Sequence, residues 1–172
     1  MSNNAINVIL ARRSIRKYED KPVEREKIDC LLECACAAPS GNNLRPWHFV
    51  EITERNVLDA LADAHPYGKM LKQAPLAIVV CGEKEKDGSP WWEQDCAAAM
   101  QNILLAATAL GLGSVWLGVN RDAAISEKMH GIINVPDHIK IVGIAAIGYG
   151  AELRRPRNGI DQSRVHKERW QS

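Results

Sequence analysis

The chain has 172 residues, with 22 Lys plus Arg set against 21 Asp plus Glu for a formal net charge of +1. That length fits one domain, residues 1–172, which buries roughly 70% of the surface its unfolded form exposes, and the charge balance excludes a global field strong enough to draw nucleic acid or an anionic membrane. No stretch approaches the ~20 apolar residues of a membrane span, and the N-terminus lacks an apolar core with a small-residue cleavage site. A cytoplasmic protein is therefore expected, in which any anion site is local.

Ala5 to Arg12 reads as a short helix. Pro22 introduces a second helix in VEREKIDCLLECACAA, with acidic residues in its early turns and Pro39 as its stop. Cys30 and Cys34 fall one helical turn apart while Cys36 lies on another face, so one tetrahedral metal site does not easily collect all three and core packing is expected. With Cys81 and Cys96 they make an odd set without an export signal, which argues for reduced thiols. WHFVEIT reads as a strand, RNVLDALADAH as a helix and PLAIVVCGE as a fully buried strand. WWEQDCAAAMQNILLAATALGLG has almost no charge after Asp95. A helix of roughly 16 to 18 residues that is apolar all round either threads the core or is covered by another subunit. SVWLGV reads as a strand, RDAAISEKMHGI as a helix closed by Gly131, and IKIVGIAAIGYG as a long apolar strand. Four apolar strands interleaved with about six helices give an α/β alternation whose strand directions the loops leave open. The tail, GAELRRPRNGIDQSRVHKERW, is too polar to pack on itself, so it is expected to lie across another surface with Trp170 as an anchor. The five histidines show no ligand spacing, and no metal site is expected.

Two segments carry chemistry. RRSIRKY offers cations and a hydroxyl that can hold a phosphate, and PSGNNLRPW offers backbone and amide groups that can hydrogen-bond a planar heterocycle. Together they point to a flavin mononucleotide site. The alternatives are a solvated basic helix end for the first and an ordinary helix-to-strand turn for the second.

ARRSIRKY, AAPSGNNLRPWHFV, KMLKQAPLAIVVCG, the Ala-rich helix ending in ALGLGSVWLG, and GYG followed by RRPR and VHKERW resemble, in that order, the nitroreductase family. The resemblance implies an α+β sandwich around a mostly antiparallel sheet, built as an intertwined homodimer with FMN at the subunit interface. It implies that the apolar helix and the tail, from about residue 150 to 172, pack on the partner subunit. Arg12, Arg13, Ser14 and Arg16 match the family's phosphate and ribityl contacts, and Arg155 and Arg157 match the basic pair that completes the clamp. Pro39, Ser40, Gly41 and Asn43 match the loop that reaches the isoalloxazine ring from the other subunit. Arg45 departs from the pattern, standing where many members carry Gln, which implies either altered hydrogen bonding at the ring or an added positive charge near it. Lys69 matches a lysine near the pyrimidine end, where a cation stabilises the anionic reduced flavin and raises its potential. Trp116, Leu117 and Gly118 match the strand segment along the ring, although Trp116 equally suits a core. Tyr67, Trp91 and Trp92 are candidates for substrate stacking on the open face. The other reading of the two tryptophans is that they cap the long helix and pack on the dimer.

The activity implied is that of an oxidoreductase taking a hydride from NADH or NADPH and passing it, in a second step, to a nitroaromatic, a quinone or another flat acceptor. No side chain is nominated as acid or base. The rival readings are an FMN-binding protein for storage, sensing or dimer stability, or a family member with a different flavin reaction such as dehalogenation or flavin fragmentation.

Overall fold

The structure is a computed structural model that describes residues 4–83, 90–119, 123–156 and 159–170. Five α-helices and four strands make up its regular framework: α1 (Asn4–Ala11), α2 (Arg25–Cys36), β1 (Trp47–Ile52), α3 (Arg55–Ala64), β2 (Leu76–Glu83), α4 (Trp92–Ala109), β3 (Gly113–Gly118), α5 (Ala123–Ile133) and β4 (Ile139–Gly148). The strands form one sheet in the order β1-β2-β4-β3, and every neighbouring pair is antiparallel. The alternation of helix and strand thus resolves to α+β. Helices α3 and α5 each return the chain beside its starting strand in the opposite sense, whereas α4 carries it from β2 across one strand position to β3, parallel to β2, and β4 then fills the gap between them.

The central strands β2 and β4 are apolar on both faces because both faces are covered. On one side Leu58 and Leu61 of α3, Leu71 of the Lys69–Lys72 turn and Met129 of α5 pack against Val79, Ile141, Ile144 and Leu117. On the other, Leu31 of α2 and Cys96, Met100 and Ile103 of α4 pack against Ile78, Val80 and Ile147. Helix α4 is stopped by Gly111 at φ 75°, with Leu112 N–H bonded to Ala107 O (2.8 Å) and Gly111 N–H to Thr108 O (3.2 Å), a Schellman closure that hands the chain directly to β3.

Several expectations are corrected. Helix α5 runs through Gly131 to Ile133, and Asn134, at φ 53°, takes the left-handed position after it. The start of its expected span, Arg121 and Asp122, lies outside the described residues. The α2 cysteines are not core residues: Ile28, Leu31 and Ala35 form the buried stripe, which leaves Cys30 and Cys34 half-buried on its flank and Cys36 exposed. All five thiols are free. In the tail, Leu153, Ile160, Val165 and Trp170 are exposed, and Trp170 stacks on His166 with ring centroids 4.1 Å apart. No helix among the described residues is long and apolar enough to cross a membrane.

Candidate functional site

The basic segment leaves α1 after Ala11 and runs along the outer edge of β3. Ser14 forms a parallel bridge with Ser114, and Ile15 N–H donates to Ser114 O at 3.0 Å. Gly113 is needed there, because a Cβ would lie 2.7 Å from the Ile15 side chain. Below the segment the buried Tyr18 hydroxyl lies 2.7 Å from Ile15 O and 2.9 Å from Ala146 O, and burial raises its pKa well above the usual tyrosine value. Pinned in this way, Arg12, Arg13, Ser14 and Arg16 line a polar hollow of about 170 Å³ together with Arg154. Glu152 organises its rim: one oxygen accepts Arg16 N–H at 2.6 Å and the other pairs with Arg154 at 2.8 Å. The Arg16 N–H, seconded by Arg154, holds this carboxyl below its ordinary range. Four arginines line one small hollow, and an oxyanion held there would offset the repulsion among them through charge-assisted hydrogen bonds.

Arg155 contributes here through its backbone, its carbonyl accepting from Arg13 Nη1 at 2.6 Å. The residue of this run that lines the hollow is Arg154, one position earlier, which sequence reading missed; only its place in the RRPR run signalled it. Arg157 lies outside the described residues.

Beyond Ser114 the same strand carries Trp116 to Gly118. Leu117 turns into the core, whereas Trp116 is 37% exposed and lies over Gly143 of β4. At the strand's end Gly118 O accepts from His65 Nε2 at 3.0 Å, and His65 Nδ1 accepts Tyr67 N–H at 3.1 Å. With Nδ1 accepting, Nε2 is the ring nitrogen that donates. His65 thereby ties the Tyr67–Lys69 turn to β3. Arg55 holds the turn's far side by donating to the carbonyls of Leu71 and Ala74. Lys69 is exposed, while its neighbour Lys72 pairs with Asp63 at 2.6 Å. Tyr67 is also exposed, edge-on to His65. Along one sheet edge the structure therefore brings together the arginine hollow, Ser14, Trp116, Gly118, Tyr67 and Lys69.

The Pro39–Asn43 loop lies elsewhere. It enters β1, and β2 and β4 stand between that strand and β3. Asn42, Asn43 and Arg45 all have left-handed φ values, 51°, 56° and 49°. Arg45 N–H donates to Ser40 Oγ and Arg45 Nε to Asn43 Oδ1, both at 3.0 Å, so the expected polar groups are already oriented by Arg45. Gly41 N–H donates to Asp95 Oδ1 at 3.1 Å, and Trp91 covers Gly41 so closely that a Cβ would sit 3.2 Å from its ring. Trp91 is 56% exposed. Trp92 is not an open-face residue: it is buried against Gly82 and Cys96, because the first turn of α4 must seal the core there.

The buried polar residues among the described ones are His65, Asp95 and Ser114; the first two hold the turn and the loop through their side chains, and Ser114 holds the basic segment through its backbone. Asp95 Oδ2 and Ser114 Oγ are buried without a hydrogen-bond partner. Such groups are costly in a core. Their only sequence signals were the second of two acidic residues at the head of an apolar helix and a lone hydroxyl in an apolar strand.

A sequence profile described as the Nitroreductase family matches residues 9–149. The chain belongs to the nitroreductase family. A relative from Methanothermobacter thermautotrophicus, provisionally named NADH dehydrogenase/NAD(P)H nitroreductase, is 42% identical over 168 residues, covering 97% of this chain and 88% of its own. An FMN-dependent nitroreductase from Clostridium difficile R20291 superposes with a TM-score of 0.91 at 35% identity, covering 96% of this chain and 99% of its own. A provisionally named nitroreductase from Desulfovibrio desulfuricans, solved in complex with FMN, gives 0.84 at 30% identity and covers 99% and 100%.

Proposed function

We propose that the chain is an NAD(P)H-dependent FMN oxidoreductase that reduces flat acceptors, nitroaromatics and quinones among them, in two steps at the interface of a homodimer. The observation that carries this reading is the strip along the edge of β3, with an arginine hollow at one end and a lysine at the other. The donor set fits FMN. Arg12, Arg13, Ser14, Arg16 and Arg154 suit a phosphate, and Ser114 Oγ, buried without a partner beside Ser14, marks where a further polar contact is wanted.

In this arrangement the arginines would bind the phosphate, the edge of β3 from Trp116 to Gly118 would lie along the ring, and Lys69 would supply positive charge at its far end. FMN, when bound, supplies the hydride and electron transfer between NAD(P)H and the acceptor. Pro39, Ser40, Gly41 and Asn43 would reach the ring from the second subunit, since in a single chain two strands separate them from the strip. Tyr67 and Trp91, both exposed, remain for stacking a flat substrate. Their exposure favours turnover over storage.

The homodimer is supported by the outer side of α4. There an apolar hollow of about 420 Å³ is lined by Val8 and Ile9 of α1, Cys34 of α2, and Leu105, Ala106 and Ala109 of α4. Ile6, Ile9 and Leu10 are exposed beside it. The tail, with Leu153 and Trp170 exposed, would pack on the partner. The deciding experiment is the visible spectrum of protein purified without added cofactor, followed by anaerobic NADH and then NADPH. An oxidised-flavin spectrum that bleaches is expected. Colourless protein that takes up no FMN would overturn the reading.

A further inference from the structure

The geometry points to Asp95 as the positioning residue for the Ser40–Arg45 loop, which holds Gly41 so that Ser40 and Asn43 are presented in one fixed arrangement. This inference rests on the flavin reading above and adds to it a residue that touches no cofactor. Asp95 is 7% exposed in the first turn of α4, where the helix N-terminus favours a negative charge. One of its oxygens accepts Gly41 N–H at 3.1 Å, and the other is buried without a partner.

A carboxylate placed in this way would be a poor choice for stability alone. Its unpartnered oxygen carries a desolvation cost that a single bond to Gly41 N–H only partly offsets. The loop above it, however, needs restraint. Asn42, Asn43 and Arg45 are all left-handed, and Arg45 precedes Pro46, a context that disfavours its φ of 49°. Strain of this kind persists only where the surroundings over-determine it. The loop's internal bonds, Arg45 N–H to Ser40 Oγ and Arg45 Nε to Asn43 Oδ1, close it on itself but do not fasten it to the framework. The Asp95–Gly41 bond does, with Trp91 packed over the same glycine.

The test compares Asp95→Ala and Asp95→Asn by fluorescence titration with FMN and with riboflavin, each on dimer verified by sedimentation. Asn keeps an acceptor for Gly41 N–H; Ala does not. In Asp95→Ala both flavins should bind about tenfold more weakly, because the loop contacts the ring that they share, and Asp95→Asn should recover most of that loss. Equal affinities in wild type and Asp95→Ala would overturn the inference. So would loss confined to FMN, which would implicate the phosphate end instead. A second measurement covers failure of the alanine variant to fold. Gly41 N–H should exchange slowly in the wild-type apoprotein and several-fold faster in Asp95→Asn; fast exchange in the wild type would overturn the inference. Wild-type protein that binds neither flavin would instead defeat the flavin reading itself.

Discussion

Arg16 allows cofactor binding to be separated from folding. Its side chain is exposed, and the structural bond it makes, to Glu152, comes from its backbone and survives truncation. Arg16→Ala should therefore raise the FMN dissociation constant about 10-fold or more, the loss of one charge-assisted hydrogen bond being worth about 1.5–3 kcal/mol. The apoprotein's melting temperature should stay within ~2 °C. A melt that drops while the titration is unchanged would count against the assignment. The thiols give a pH prediction. Burial pushes Cys81 and Cys96 up to about 12 from an ordinary value of 9.0, with the Asp95 charge adding to burial at Cys96. The folded protein keeps protons that the unfolded chain loses, so their contribution is complete below pH 9 and falls as pH rises toward 12. The slope is at most about 1.4 kcal/mol per pH unit for each thiol. Urea midpoints should drop between pH 8 and pH 10.5, less steeply in a Cys81→Ala, Cys96→Ala variant. At this scale the sequence was legible in kind but not in detail. The Arg cluster was readable from RRSIR, whereas the choice of Arg154 over Arg155 depended on the path of the chain past Glu152, which composition does not reveal.

Two glycines, in β4 and α5, should respond with opposite signs. A Cβ on Gly143 would collide with Trp116 Nε1 and come within 2.6 Å of Leu117 O, a backbone atom that cannot yield without moving β3. Gly143→Ala should cost about 1–3 kcal/mol in chemical denaturation and perturb the bound-flavin spectrum, because Trp116 would be displaced. Gly131, inside α5 with nothing within 4 Å of its notional Cβ, should gain roughly 0.5–1 kcal/mol on substitution by Ala. Unchanged stability for Gly143→Ala would contradict the described packing of Trp116 on β4. Most elements could be read from periodicity because their apolar patterns are strong: a continuous run in β2, a nearly uncharged one in α4. Strand direction could not, since a connecting helix serves parallel and antiparallel neighbours alike, and only the family resemblance supplied it. The left-handed cluster at Asn42, Asn43 and Arg45 was partly foreshadowed by asparagine, but nothing local announced it at an arginine before proline.

At the scale of the whole molecule, the outer faces of α1 and α4 should govern association. Ile9→Asp with Leu105→Asp should shift a dimer toward monomer by at least tenfold in dissociation constant, read by sedimentation at nanomolar to micromolar concentration. Wild-type protein that sediments as a folded monomer would remove the basis for a shared site. The order of the sheet also bears on synthesis. The last strand made, β4 (Ile139–Gly148), lies between β2 and β3 and is the hydrogen-bonded neighbour of both. A ribosome therefore releases α4, β2 and β3 before the piece that joins them exists. At about 5–20 residues per second, the gap between the end of α4 and the end of β4 lasts roughly two to eight seconds. During that interval α4, the longest helix among the described residues and uncharged after Asp95, has an incomplete sheet to cover it, so the nascent protein should depend on chaperones. Chains arrested before residue 139 should be digested readily by protease, and those arrested with residue 148 well clear of the exit tunnel should resist it.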